Sequence, residues 1–172
     1  MHEADIHIRV AVLTISTSKY ETYGEVRNLD SLDKIDDESG KTVVQELSDI
    51  CEITEYRLVP DDMIRIQSEV VDLLKNNDAV ITTGGTGITP TDVTVEAIEP
   101  VMTKKIDGFG EIYRMLSHID VGAPAILSRT FACLIEDKVV FCLPGSPKAV
   151  KLGIKLIRDS LKHIITHAKG LK

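Results

Sequence analysis

Ile8–Ile15 (IRVAVLTI) is apolar at nearly every position. A strand with one wet face alternates apolar and polar residues. A strand apolar throughout is covered on both faces, as in a parallel sheet between helical layers. The rest of the chain fits that constraint. Ile53–Val59 reads as a second strand stopped by Pro60, and Ala79–Thr83 as a third. Ala125–Ile135 and Val139–Leu143 read as two strands around a tight Asp137-Lys138 turn. Helical patterns lie between the strands. One starts from an N-cap at Ser39 with the stripe Val43, Val44 and Leu47, and one from Asp61-Asp62 with Ile66, Val70, Leu73 and Leu74. Thr91–Glu99, bounded by Pro100, and Phe109–Leu116 are two more. The last opens at Pro144–Pro147, with a core stripe of Ile154, Ile157, Leu161, Ile164 and Ala168. Alternating strands and helices imply an α/β fold with a mostly parallel sheet and one antiparallel strand near the C-terminus. Ser16–Glu38 is polar and longer than most connections, so it reads as either a functional loop or a partly disordered one. No repeat or linker divides residues 1–172, which read as a single domain.

Composition narrows the function. A formal net charge of −7 argues against general nucleic-acid binding. Aromatic residues make up 4% of the chain, too few for a base-stacking platform. No apolar run approaches the roughly 20 residues of a membrane helix. Cys51, Cys133 and Cys142 form no CxxC pair, and with no signal-peptide pattern they suggest a reducing cytoplasm.

In an open α/β sheet, ligands bind beyond the carboxyl ends of the strands. Four segments leave strands there: Ser16-Thr17-Ser18, Pro60-Asp61-Asp62, Gly84–Asp92 and Pro144–Lys148. Gly84-Gly85-Thr86-Gly87 is the sharpest of them. Glycines let backbone amides approach an anion and form a nest for it, and Thr83 and Thr86 add hydroxyls. A tight turn without a ligand is the alternative. Asp61 and Asp92 lie just past strands. Beside a phosphate nest they would repel the ligand unless a divalent cation lies between, and Mg²⁺ favours one or two carboxylates plus phosphate oxygens. The alternative for both is helix N-capping. Lys148 could neutralise a phosphate or be simply solvated. Gly40-Lys41-Thr42 resembles the end of a P-loop, but the glycine required five residues earlier is Ile35. Among His2, His7, His118, His163 and His167, only the last two have metal-ligand spacing, with no third ligand apparent.

Taken together, these motifs resemble the MoaB/MogA family of molybdenum cofactor biosynthesis proteins. Thr82–Gly87 leading to Asp92-Val93-Thr94 carries the likeness. So do Asp37-Glu38-Ser39-Gly40, Gly108–Glu111 with Arg114–Ser117, Leu127-Ser128-Arg129 and Leu143–Ala149. The resemblance implies a three-layer αβα sandwich and a homotrimer or hexamer. It implies a molybdopterin adenylyltransferase, in which the terminal phosphate of the pterin attacks the α-phosphate of ATP and pyrophosphate leaves, with Mg²⁺ as cofactor. Asp61 and Asp92 then match the catalytic, metal-holding aspartates. Ser117 and Ser128 match pterin contacts, while Ser16, Thr83, Gly84, Gly85, Thr86, Gly87, Gly145, Ser146 and Lys148 match nucleotide, phosphate or substrate contacts. Many members carry arginine where this chain has Thr91, and Lys19, Lys148 or Arg129 could stand in for that cation. A non-catalytic pterin-binding or scaffold paralogue of the same fold is the competing reading. From the hairpin register alone, a turn centred on Asp137-Lys138 would place Cys133 opposite Cys142, as neighbouring reduced thiols.

Overall fold

The computed structural model describes residues 5–171. Six strands form one sheet: β1 (Arg9–Ile15), β2 (Glu52–Val59), β3 (Ala79–Thr83), β4 (Lys104–Ile106), β5 (Phe131–Ile135) and β6 (Lys138–Leu143). Their spatial order is β2-β1-β3-β6-β5-β4. The first four in that order are parallel, and β5 runs antiparallel to both β6 and β4. Five α-helices lie between the strands, α1 (Thr17–Tyr23), α2 (Glu38–Leu47), α3 (Met63–Leu74), α4 (Thr94–Ile98) and α5 (Asp107–Val121), and α6 (Pro147–Ala168) follows the last strand.

The apolar runs are divided by the pleat. Val10 and Val12 of β1, Ile81 of β3 and Phe141 of β6 face one layer, packing with α2, α6 and Phe109 of α5. Ala11, Leu13, Val80 and Val140 face the other, against α3 and α4. Side chains alternate with period two along a strand, so a run apolar at every position supplies both cores at once. At the amino edge of the sheet, Asp78 accepts a hydrogen bond from the Arg9 amide at 2.8 Å and pairs with Lys169 at the end of α6. The long C-terminal helix is thereby fastened to the edge opposite the carboxyl ends of the parallel strands.

Several local expectations are corrected. Ser16–Glu38 is ordered, holding α1 and a 3-10 helix at Leu29–Lys34. The N-cap of α2 is Asp37, whose side chain accepts from the Gly40 amide, and not Ser39. α4 starts at Thr94 rather than Thr91, and α5 extends well past Leu116. The expected strand over Ala125–Ile135 shrinks to β5, because Ala123–Leu127 forms a 3-10 helix. β4 is an addition.

The β5–β6 turn is centred on Glu136 and Asp137, with Ile135 opposite Lys138 and Glu136 in the left-handed region at φ 57°. Cys133 therefore faces Val140, and Cys142 faces Phe131. The cysteines are diagonal rather than opposed, about 7–8 Å apart by strand geometry, beyond the usual reach of a disulfide. All three thiols are free. Burial pushes the Cys133 thiol up to about 12 and raises Cys142 further, with Cys133 adding to that rise. Alkylation of the native protein at pH 8 should modify at most Cys51, and unfolding without reductant should release three reactive thiols. One reactive thiol after unfolding would mean that Cys133 and Cys142 had bonded.

Candidate active site

Four loops leave the carboxyl ends of β1, β2, β3 and β6 on one edge, and they are tied to one another. The Ser16 amide donates to Val59 O at 2.9 Å. Thr17 donates from its amide (3.1 Å) and hydroxyl (2.8 Å) to Asp61 Oδ2, and the Asp61 amide returns a bond to Thr17 Oγ1. The Gly84 amide donates to Leu143 O at 2.9 Å. Ser39 Oγ donates to Gly145 O at 2.7 Å, joining the start of α2 to the loop after β6.

Beneath these loops lies Asp37, with no exposed surface. Its Oδ2 accepts from Thr14 Oγ1 and Tyr56 OH, each at 2.6 Å, and its Oδ1 from the Gly40 amide at 3.0 Å. Thr83 Oγ1 donates to Thr14 Oγ1 at 3.3 Å, which brings β3 into the network. Burial, and next the Asp37 charge, raise the Tyr56 hydroxyl far above its ordinary value, so it stays a donor.

The glycine loop is sterically specified. Gly84 has φ 99°, and a Cβ there would lie 2.2 Å from the Ile15 carbonyl oxygen. At Gly85 (φ 73°) a Cβ would lie 2.1 Å from Thr94 Oγ1 and 3.5 Å from Asp61 Oδ1. At Gly87 it would lie 2.6 Å from Asp92 Oδ2, and at Gly145 it would lie 3.4 Å from Gly84 Cα. Asp61, Asp92 and the loop after β6 thus surround the glycines. Thr83 and Thr86 are buried at the root of the loop.

Neither Asp61 nor Asp92 caps a helix. Asp62 caps α3, and the α4 N-cap is Val93, with no side-chain capping bond. Asp92 Oδ2 instead accepts from the Thr89 amide (2.9 Å) and hydroxyl (2.7 Å). Among the described residues the side-chain partners of both carboxylates are neutral threonines. That leaves hard, charged oxygen donors beside an amide-rich loop, a donor set that fits Mg²⁺. No group of three or more His, Cys, Asp or Glu suited to a metal occurs among the described residues. The rings of His163 and His167 lie 4.3 Å apart, and His2 falls outside the described residues.

Ser16 and Ser146 cap α1 and α6, accepting from Lys19 and Ala149 amides at 3.3 Å, and the Ser16 hydroxyl also pairs with that of Ser18 at 3.3 Å. Ser117, Ser146, Lys148, Tyr113 and Asp120 line a cleft of about 90 Å³ between α5 and α6. Lys148 is exposed and makes no ion pair among the described residues. Asp92, Glu96, Arg129, Ile88 and Thr89 line a second cleft of about 350 Å³ on the α4 side of the glycine loop. Ser128 lies in neither. Its hydroxyl bonds Thr130 Oγ1 at 2.9 Å, and its segment is held to α5 by Arg114, which donates to Thr130 O at 2.8 Å. Sequence reasoning missed the interior role of Asp37 and the engagement of Arg129; the D-x-S-G pattern was the available signal for the former.

The family profile described as "Probable molybdopterin binding domain" matches residues 11–163. The chain belongs to the MoaB/MogA family. Molybdenum cofactor biosynthesis protein B of Staphylococcus aureus is 43% identical over 164 residues, covering 92% of this chain and 90% of that protein. The molybdopterin adenylyltransferase of Pyrococcus furiosus is 41% identical, covering 78% and 82%. The crystal structure of the tungsten cofactor synthesizing protein MoaB from Pyrococcus furiosus superposes with a TM-score of 0.83 at 37% identity, covering 96% and 99%.

A glycine that already contacts backbone cannot accept a side chain without moving the loop. Gly84→Ala should cost about 2–4 kcal/mol, lowering the melting temperature of a chain this size by roughly 5–15 °C. A thermal melt beside wild type checks this, and an unchanged midpoint would show that the loop relaxes freely.

Proposed function

We propose that this protein adenylylates molybdopterin: a terminal phosphate oxygen of the pterin attacks the α-phosphate of ATP, and pyrophosphate leaves. The observation that carries the reading is the pair Asp61 and Asp92, excused from capping and set against Gly85 and Gly87. The names of relatives in Pyrococcus and Methanocaldococcus support it.

Phosphoryl-type transfer asks the protein chiefly to position reactants and neutralise charge. Asp61 and Asp92 would hold Mg²⁺, which supplies charge neutralisation at the phosphates. The glycine-loop amides receive phosphate oxygens, and Lys148 with the α6 N-terminus holds further negative charge. Ser117 and Ser128 orient the pterin side. The bonds of Thr17 to Asp61 and of Gly84 to Leu143 would hold the Asp61 and glycine-loop groups in place before substrate arrives.

The proposal includes assembly into a homotrimer, alone or paired into a hexamer, in the cytoplasm. Ile112, Met115 and Ile119 on α5, with Ile126 and Leu127 beyond it, are exposed; Ile119 is 76% and Ile126 78% accessible. An apolar stripe of this kind favours an interface over water. Light scattering at micromolar protein should give three or six times the 18.9 kDa chain mass, and a monomer would refute assembly.

Incubation with molybdopterin and Mg–ATP should yield adenylylated pterin and pyrophosphate. Asp92→Ala should lower turnover by at least about 100-fold while changing pterin affinity by less than about threefold. Pterin binding without turnover in the wild type would favour the scaffold paralogue.

A further inference from the structure

We infer that Arg129 is a positioning residue for Asp92, a clamp on the 87–92 loop and not a phosphate-binding cation; the inference rests on the adenylyl-transfer reading. The guanidinium reaches both ends of that loop from one rigid plane. Its Nε donates to Gly87 O at 2.8 Å and its Nη2 to Asp92 O at 3.1 Å. Glu96 of α4 receives the remaining edge of the fork, with Nη1 to Oε1 and Nη2 to Oε2 at 3.4 Å. The Arg129 amide donates to Thr86 O at 2.8 Å. One residue therefore fixes the loop at Thr86, Gly87 and Asp92 and seats it on α4.

Charge points the same way. The Arg129 hydrogen bond holds Glu96 below the usual carboxylate range, so the pair is ionised and largely self-neutralised. A guanidinium already bonded to a carboxylate and two carbonyls has little left for a phosphate, whereas Lys148 is uncommitted. Asp92 itself turns back to Thr89 within the clamped segment, so releasing either end would free the carboxylate to wander. A displacement near 1 Å at a reacting centre costs about 100-fold in rate.

The test compares wild type, Arg129→Gln and Arg129→Lys. Amide hydrogen exchange follows the 86–93 segment, and kinetics give kcat, the KM for each substrate and the Mg²⁺ concentration for half-maximal rate. Arg129→Gln should raise exchange in that segment by about tenfold or more, with β3 and α6 unchanged. It should lower kcat by roughly 10–100-fold, leave the molybdopterin KM within about twofold and raise the Mg²⁺ requirement. Arg129→Lys keeps the charge but lacks the fork, and should resemble Arg129→Gln. Rescue by lysine, or an increased ATP KM with unchanged loop exchange, would overturn the clamp in favour of direct anion binding. If Arg129→Gln does not fold, the lysine variant decides alone. If the wild type proves inactive, the adenylyl-transfer reading fails, while loop exchange still decides whether Arg129 is the clamp.

Discussion

The carboxyl edge of this sheet depends on one buried carboxylate. Asp37 is sealed from water and accepts from Thr14, Tyr56 and the Gly40 amide. An uncompensated charge in the interior would be strongly unfavourable, and three donors aimed at it make its burial tolerable. Each donor comes from a different element: β1, β2 and the first turn of α2. Thr83 adds β3 through Thr14, and Ser39 extends the connection to Gly145 after β6. The sheet ladders set the strand register, and these side-chain bonds add a directional tie between the loops that leave the strand ends. A site assembled from four loops needs that tie more than it needs any single loop.

A division of labour runs across the sheet. The amino edge carries Asp78, held by the Arg9 amide and Lys169, while the carboxyl edge carries the glycines and Asp61 and Asp92. An ion network spans β2 and α3, where Arg57 contacts Glu55, Glu69 and Asp72. Neither Asp78 nor the Arg57 network uses the residues of the glycine loop, whereas the Asp37 ties lie directly beneath it.

How much was legible follows from the physics of each segment. β1, β3 and β6 announce themselves because burial on both faces leaves an apolar run that little else explains. Lys104-Lys105-Ile106 could not be read as β4, since three residues at a sheet edge carry no period and two are charged. α1 buries no side chain, so its sequence, TSKYETY, has no stripe to detect. The hairpin register was misread because Glu136, a residue that seldom adopts positive φ, takes the left-handed position usually marked by Gly or Asn. At the site, the position of Asp61 and Asp92 after strands was visible in the chain. Asp37 was harder to single out, sitting in a polar stretch with Asp30, Asp33 and Asp36. Arg129 was harder still, because backbone carbonyls distant in sequence acquire meaning only once the chain is folded.

The contact at Gly84 has a consequence on an evolutionary timescale. Every single-base change that alters a glycine codon adds a side chain or ends the chain, and the space for that side chain is filled by the Ile15 carbonyl. Neighbouring side chains could not relieve such a clash by shrinking, because the obstacle is main chain, which no substitution at position 15 removes. Drift at codon 84 therefore has few routes that leave the fold intact, and the loop should keep its shape in lineages where most of the surrounding surface has been rewritten.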